Sequence, residues 1–248
     1  MSFLSVIVPV WNNKNEILSA HKRIDEVLFK LDLNYEIFFV DDGSEDGSFI
    51  LLEELHRRDP RVSVLKLDRN YGQSPALAAG LENARGDILL TIDVDLDCDP
   101  VEIPRFLNKI DEGWELVSGF RTRRNAPLLS RRIPSFFMNQ ITSMITGVRL
   151  RDYGCGMNML TRQLASRFSD HHDRCCFLKP LAVILSRKTT ELKIVEGAIT
   201  RFKSSYSTLK LLKLMIDMVV VFTINQRRQP MEPIYRVDTF LQSPISGM

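Results

Sequence analysis

Through the first 120 residues, apolar β-rich runs alternate with amphipathic stretches, and that alternation is the pattern of a parallel sheet covered by helices. Strands are expected over Leu4–Val10, Tyr35–Val40, Val62–Leu67, Asp87–Asp93 and Glu115–Phe120. Helices are expected between them, over Lys14–Leu31, Gly47–Arg58, Ser74–Ala84 and Pro100–Glu112. Each strand-and-helix unit takes roughly thirty residues, enough for a right-handed crossover. From about Arg121 the pattern changes to a basic, proline-interrupted stretch, then helix, then a glycine-containing segment over Arg151–Leu160, then more helix. We read residues 1–225 as one α/β domain, with a first half to about 120 and a second half over 121–225, and residues 226–248 as a loose C-terminal tail.

The 33 Lys and Arg against 31 Asp and Glu leave a net charge of +2, so a surface committed as a whole to nucleic acid is excluded and anion recognition must be local. The four cysteines have neither disulfide nor zinc spacing, and the start, SFLSVIVPV, reads as a buried strand and not as a charged leader. A reducing cytoplasm is the expected compartment. His171, His172, Cys98, Cys155, Cys175 and Cys176 likewise lack ligand spacing and are assigned to packing or surface. No run reaches the eighteen or so apolar residues of a membrane span; Leu209–Ile224 comes nearest and is interrupted by Lys210, Lys213 and Asp217.

Acidic clusters stand where strands end. Asp41-Asp42-Gly43-Ser44 closes the second expected strand, and Asp93-Val94-Asp95-Leu96-Asp97 closes the fourth. Ligands of open parallel sheets bind beyond the carboxyl ends of the strands, where strand order reverses, and an order 3-2-1-4 would put both clusters at that crevice. Two carboxylates in Asp-x-Asp can hold one hard divalent cation together with the phosphates of a nucleotide. The same residues also serve as turn and helix-cap chemistry, so either cluster alone decides nothing. There is no G-x-G-x-x-G after the first strand and no Gly-Lys-Ser/Thr loop, which disfavours dinucleotide and P-loop enzymes.

The set is more specific than its parts: PVWNN at 9–13, VDDGS at 40–44, RNYGQ at 69–73, ARGD at 84–87, DVDLD at 93–97 and RDYGCG at 151–156. In this order the chain resembles inverting family-2 glycosyltransferases of the GT-A fold, and within them the polyprenyl-phosphate glycosyltransferases. The resemblance is strongest to the enzymes that place formamido-arabinose on undecaprenyl phosphate. It covers roughly residues 3 to 225, and implies a mostly parallel central sheet flanked by helices. It further implies a nucleotide-diphosphate sugar donor, UDP before GDP, and a polyprenyl-phosphate acceptor. Pro9, Trp11, Asn13, Val40 and Asp42 would surround the nucleoside, and Asp93, Val94 and Asp95 the diphosphate. Asp93, Asp95 and Asp97 would hold Mg2+ or Mn2+. Asp97 stands where many relatives have Gln, and Asn13 where they usually have Glu.

A lipid monophosphate is already anionic near neutral pH and needs positive charge more than a base. The run Arg121, Arg123, Arg124, Arg131, Arg132, followed by Ser135, lies where the resemblance places a phosphate site, with Arg121, Arg131 and Ser135 as ligands. Arg131 and Asp152 are the catalytic candidates; Asp152 is expected to orient the acceptor phosphate or a neighbouring arginine, with a base role left open. Arg201 and Lys203 lie in a loop that matches the family only partly, and Arg201 is carried as a further phosphate ligand. The resemblance would continue into transmembrane helices, which this sequence does not contain. Residues 209–228 are therefore expected either to lie in the headgroup layer at the inner face of the cytoplasmic membrane or to pack within the protein, and a homo-oligomer is left open.

Overall fold

The computed structural model describes residues 2–121, 133–195, 216–224 and 235–244, the side chains of 133–137, 172–174, 223 and 224 excepted. Eight strands form one sheet in the order β7-β5-β6-β4-β1-β2-β3-β8. They are β1 Leu4–Val10, β2 Tyr35–Asp41, β3 Val62–Leu67, β4 Ile88–Thr91, β5 Leu116–Arg121, β6 Asn158–Thr161, β7 Thr189–Ile194 and β8 Val237–Leu241. The central run β3-β2-β1-β4 is parallel, in the expected 3-2-1-4 order. β6 inserts antiparallel between β4 and β5, and β7 pairs parallel with β5.

The helices are α1 Ile17–Leu28, α2 Ser48–Arg58, α3 Gln73–Asn83, α4 Ile103–Asp111, α5 Ile133–Thr146, the single turn α6 Arg162–Ala165, and α7 Leu178–Leu185. β1 and β2 are covered on both faces, which is why they read as continuous apolar runs instead of alternating ones. Residues such as Val6, Val8 and Ile37 face the layer of α1, α2 and α4, whereas Ile7, Phe38 and Val40 face α3 and α7. Each buried Val, Leu or Ile contributes about 1.5–3 kcal/mol, so these strands anchor the domain. α3 sits directly on the sheet because its inner face is small: a Cβ at Gly80 would strike Ile7 and Val40. That close seat brings the start of α3 to the carboxyl end of β4.

Two sequence expectations change. β4 stops at Thr91, so Asp93 belongs to the loop beyond the strand and not to its last residue. The stretch 226–248 is not all loose: Val237–Leu241 pairs antiparallel with β3, and Phe240 packs on Phe38 with ring centroids 5.7 Å apart. β8 is the edge of the sheet, with Val237, Thr239 and Leu241 on one face and Asp238 and Phe240 on the other.

Candidate functional site

The loops that leave β1, β2, β3 and β4 meet the end of β5 at one end of the sheet, and local chemistry ties them together. Asn12, with a left-handed φ of 53°, donates its backbone N–H to Ser44 Oγ at 2.9 Å. Its side-chain oxygen accepts from Glu45 N, also at 2.9 Å. The asparagine and serine of PVWNN and VDDGS thus lock two turns. Gly43 has φ 68° and lies against the Arg69 backbone, where a Cβ has no room. Asp42 is 2% exposed, and its two oxygens accept the backbone N–H groups of Tyr71 and Gly72, each at 2.8 Å. Burial pushes its pKa up to about 6 against the pull of those two bonds. Asp42 therefore fixes the RNYGQ loop. Its neighbour Asp41 is fully buried, and its Oδ1 has no hydrogen-bond partner among the described residues.

Of the other nucleoside candidates, Trp11 is 51% exposed at the crevice and Pro9 is half-buried, whereas the side chains of Val40 and Val94 are in the core. Any contact at Val40 or Val94 would come from the backbone. Asn13 holds its own turn, accepting from Trp11 N.

Carboxylate oxygens of Asp93, Asp95 and Asp97 all lie within 4.8 Å of one another. Leu96, at φ 49°, turns the loop on which the three carboxylates converge. Gln73 Nε2 donates to Asp93 Oδ1. Burial, then repulsion from Asp97 and Asp95, pushes the Asp93 pKa up to about 7. Three converging hard oxygen donors suit Mg2+ or Mn2+, which would neutralise charge on a departing diphosphate when bound. A cation must displace the proton held at Asp93. Mn2+ affinity should therefore fall by up to about tenfold per pH unit below 7 and level off above it, checked by calorimetry at pH 6, 7 and 8. In the metal-free protein the raised pKa has the opposite consequence: the stability that this group contributes is full at low pH and is lost as pH rises through 7.

Arg121, at the end of β5, joins this cluster to the RDYGCG segment. Its Nη1 donates to Asp97 Oδ2 at 2.5 Å, its Nε and Nη2 to Asp152 at 2.8 and 3.2 Å, and Nη2 also to the Gly154 carbonyl at 2.7 Å. Burial works against its charge, but Asp152 and then Asp97 hold the guanidinium firmly protonated. Asp152 is 4% exposed and accepts from Gly154 N as well. Asp152 thus positions Arg121, and most of Arg121 is taken by protein groups.

Gly156 completes the arrangement: a Cβ there would overlap the Asp93 carboxylate. Gly156→Ala should displace that carboxylate and weaken Mn2+ binding about tenfold or more while moving the melting temperature little, checked by calorimetry alongside thermal unfolding. Cys98 and Cys155 are buried with sulfurs 3.6 Å apart.

Arg123, Arg124, Arg131, Arg132, Arg201 and Lys203 lie outside the described residues, and so does the Ser135 side chain. Lys179, on α7, did not figure in the sequence reading. Its ammonium donates to the carbonyls of Asp152 at 2.7 Å and Cys155 at 3.3 Å, beside Asp93. A lysine inside the apolar run FLKPLAVIL was the available signal.

Among known proteins, the family model described as Glycosyl transferase family 2 matches residues 5–173. The undecaprenyl-phosphate 4-deoxy-4-formamido-L-arabinose transferase of Pseudomonas aeruginosa (strain LESB58) is 34% identical over 229 residues, covering 92% of this chain and 67% of that protein. Glucosyl-3-phosphoglycerate synthase from Mycobacterium tuberculosis, solved with Mn2+, uridine diphosphate and glucosyl-3-phosphoglycerate, shares the fold at TM-score 0.55 and 18% identity. That likeness covers 98% of this chain and 89% of that one. A mannosyltransferase from Pyrobaculum calidifontis, solved with GDP-Man and Mn2+, shares it at TM-score 0.52 and 14% identity, over 88% and 69% of the two chains.

Proposed function

The chain belongs to glycosyl transferase family 2, and from that premise we propose that it moves a sugar from a nucleotide-diphosphate sugar to a polyprenyl phosphate such as undecaprenyl phosphate, in cell-envelope biosynthesis. UDP is the favoured carrier and GDP the other candidate. One observation carries the choice of acceptor: Asp152, the carboxylate offered as a base, is held by Arg121 and the Gly154 N–H. A carboxylate so paired is a weak base, and a hydroxyl acceptor would need one. A phosphate monoester has its second pKa near 6 and is already the nucleophile. Its oxygen forms the new bond to the anomeric carbon from the face opposite the diphosphate. The bond to the diphosphate oxygen breaks, and its electron pair leaves with the nucleotide.

In this reading Trp11 and Pro9 flank the nucleoside, and the loop fixed by Asp42 closes over it. Asp93, Asp95 and Asp97 hold Mg2+ or Mn2+ against the diphosphate. Arg131, Ser135 and Arg201 receive the lipid phosphate, with Arg121 bracing the wall between the two substrates. Membrane contact is proposed through residues 209–228. No helix among the described residues is long and apolar enough to cross a membrane. Over 216–224, Met218 is buried against Thr142 and the Phe222 ring lies tilted against that of Phe177, whereas Ile216 and Val220 are exposed. One side of this piece packs within the protein and leaves an apolar side for a lipid surface.

Ligands that bind the native state raise apparent stability. With Mn2+ present, UDP should raise the melting temperature by several degrees and adenosine diphosphate should not. No shift with either UDP or GDP would remove the donor half of the proposal.

A further inference from the structure

The carboxylate loop and the 152–156 segment meet a second time, through sulfur. Cys98 directly follows Asp97 in the loop beyond β4. Cys155 lies between Gly154, whose carbonyl accepts from Arg121, and Gly156, which abuts the Asp93 carboxylate. The two thiols are buried and face each other at 3.6 Å. β5 makes room for the pair at Gly119, where a Cβ would come within 2.9 Å of Cys155 Sγ. Cys98 also donates its S–H to Asp97 Oδ1 at 3.0 Å, so one thiol touches both its partner sulfur and a carboxylate of the cluster.

The two sulfurs differ in access. A cavity of about 180 Å3, partly open to solvent, is lined by Gln73, Asp93, Lys179 and Cys155 among others. A water takes about 30 Å3 of liquid volume, so a molecule the size of hydrogen peroxide has ample room there. Cys98, fully buried against Cys155, does not line the cavity. Cys155 is thus the sulfur that a small oxidant meets, and Cys98 is the one placed to attack it afterwards.

We propose that Cys98 and Cys155 are a modification site, forming a reversible disulfide on exposure to hydrogen peroxide, and that the bridge weakens divalent-cation binding at 93–97. In the first step one peroxide oxygen passes to Cys155 Sγ, giving a sulfenic acid, and the O–O bond breaks with release of water. In the second, Cys98 Sγ attacks the Cys155 sulfur, the S–O bond breaks, and a second water leaves with the Cys98 proton. The thiols lose two electrons and two protons in all, and both peroxide oxygens end as water. A dithiol reverses the bridge by exchange. A disulfide holds its sulfurs about 2.05 Å apart, so closure draws this pair together by about 1.5 Å. It strips Asp97 Oδ1 of its S–H donor and pulls on both flanks of the cluster, Asp97 on one side and the Gly156 backbone beside Asp93 on the other. Cation-to-ligand distances are held to about 0.2 Å, so a displacement of this size is felt. The effect on the metal rests on the reading of 93–97 as a cation site; the bridge itself does not.

The protein is treated with hydrogen peroxide, desalted, and divided between peptide mapping by mass without reductant and calorimetry with Mn2+. Peptides carrying Cys98 and Cys155 should be found joined, lighter by two hydrogens than their sum. Mn2+ affinity should fall about tenfold or more below that of the reduced protein and recover after dithiothreitol is added and removed. Cys98→Ser lacks the second sulfur and should stop at the first step, leaving a Cys155 sulfenic acid that a 1,3-diketone labels. Cys98→Ser with Cys155→Ser should hold its Mn2+ affinity within about twofold through the same treatment. Its binding before treatment certifies its fold, and where that binding is lost the re-reduced protein is the control. Cys98 and Cys155 left as thiols while Cys175 or Cys176 is oxidised overturns the proposal. So does a 98–155 bridge with unchanged Mn2+ affinity, or an equal loss in the double variant. If the reduced protein binds no Mn2+, the cation reading fails and the coupling falls with it, whereas the mapping still decides the bridge.

Discussion

Asp95→Ala should reduce metal-dependent sugar transfer about 10²-fold or more, while the protein melts at the same temperature or higher when no metal is present. The two halves of that expectation have one cause. Asp95 is exposed, and among the described residues its side chain holds one hydrogen bond, from Asp97 N at 3.3 Å, so the fold loses little with it. Although the residue is exposed, its carboxyl is turned to the cluster and partly screened from water, which with the nearby Asp97 raises its pKa, and its removal relieves repulsion within the cluster. What disappears is the charge and the oxygen donor that a divalent cation needs. The measurement is turnover at saturating Mn2+ beside melting curves with and without the metal. A variant that kept its Mn2+-stimulated turnover would show that the carboxylates at 93–97 do not hold the cation.

Arg121→Met should be costly in a different way. The substitution keeps much of the aliphatic stem but takes the Arg121 guanidinium from Asp152, which is 4% exposed, and frees Asp97 to repel Asp93 and Asp95. Breaking one side of a buried ion pair costs about 3–5 kcal/mol. Urea unfolding should register that loss, and transfer activity should fall with it because the wall between the metal cluster and the 152–156 segment loses its brace. Adding Asp152→Asn should restore part of the stability, since the residue left behind is then neutral. If the two substitutions simply add, Asp152 and Arg121 do not act as a unit.

The fold was legible where burial on both faces made a strand a plain apolar run. β1 and β3 lie where the sequence reading puts them, β2 runs one residue longer at its end, and β5 is shifted by one residue at both ends. β6, β7 and β8 were not legible. β6 is four residues long and follows a glycine turn, β7 reads TTELKI with little apolar content, and β8 follows a proline-containing stretch. Each is recruited by pairing with a strand already in place, which no local pattern announces. At the site, the carboxylate cluster could be read from sequence because strand exits are where such a sheet binds ligands. The partners could not. That Arg121 would be spent on Asp97 and Asp152, that Asp42 would hold a loop, and that Lys179 would reach the Asp152 and Cys155 carbonyls from α7 all depend on distances between segments far apart in the chain.

The account turns on the identity of the two substrates, and one measurement reaches both. The protein is incubated with undecaprenyl phosphate in detergent, Mn2+, and a panel of UDP- and GDP-linked pentoses and hexoses, and the lipid fraction is analysed by mass. The predicted result is a glycosyl-phosphate lipid, formed with one nucleotide series, absent when the metal is chelated and absent in Asp95→Ala. Sugar-nucleotide consumption that is independent of the lipid phosphate, or sugar found on a hydroxyl acceptor in place of the phosphate, would contradict it.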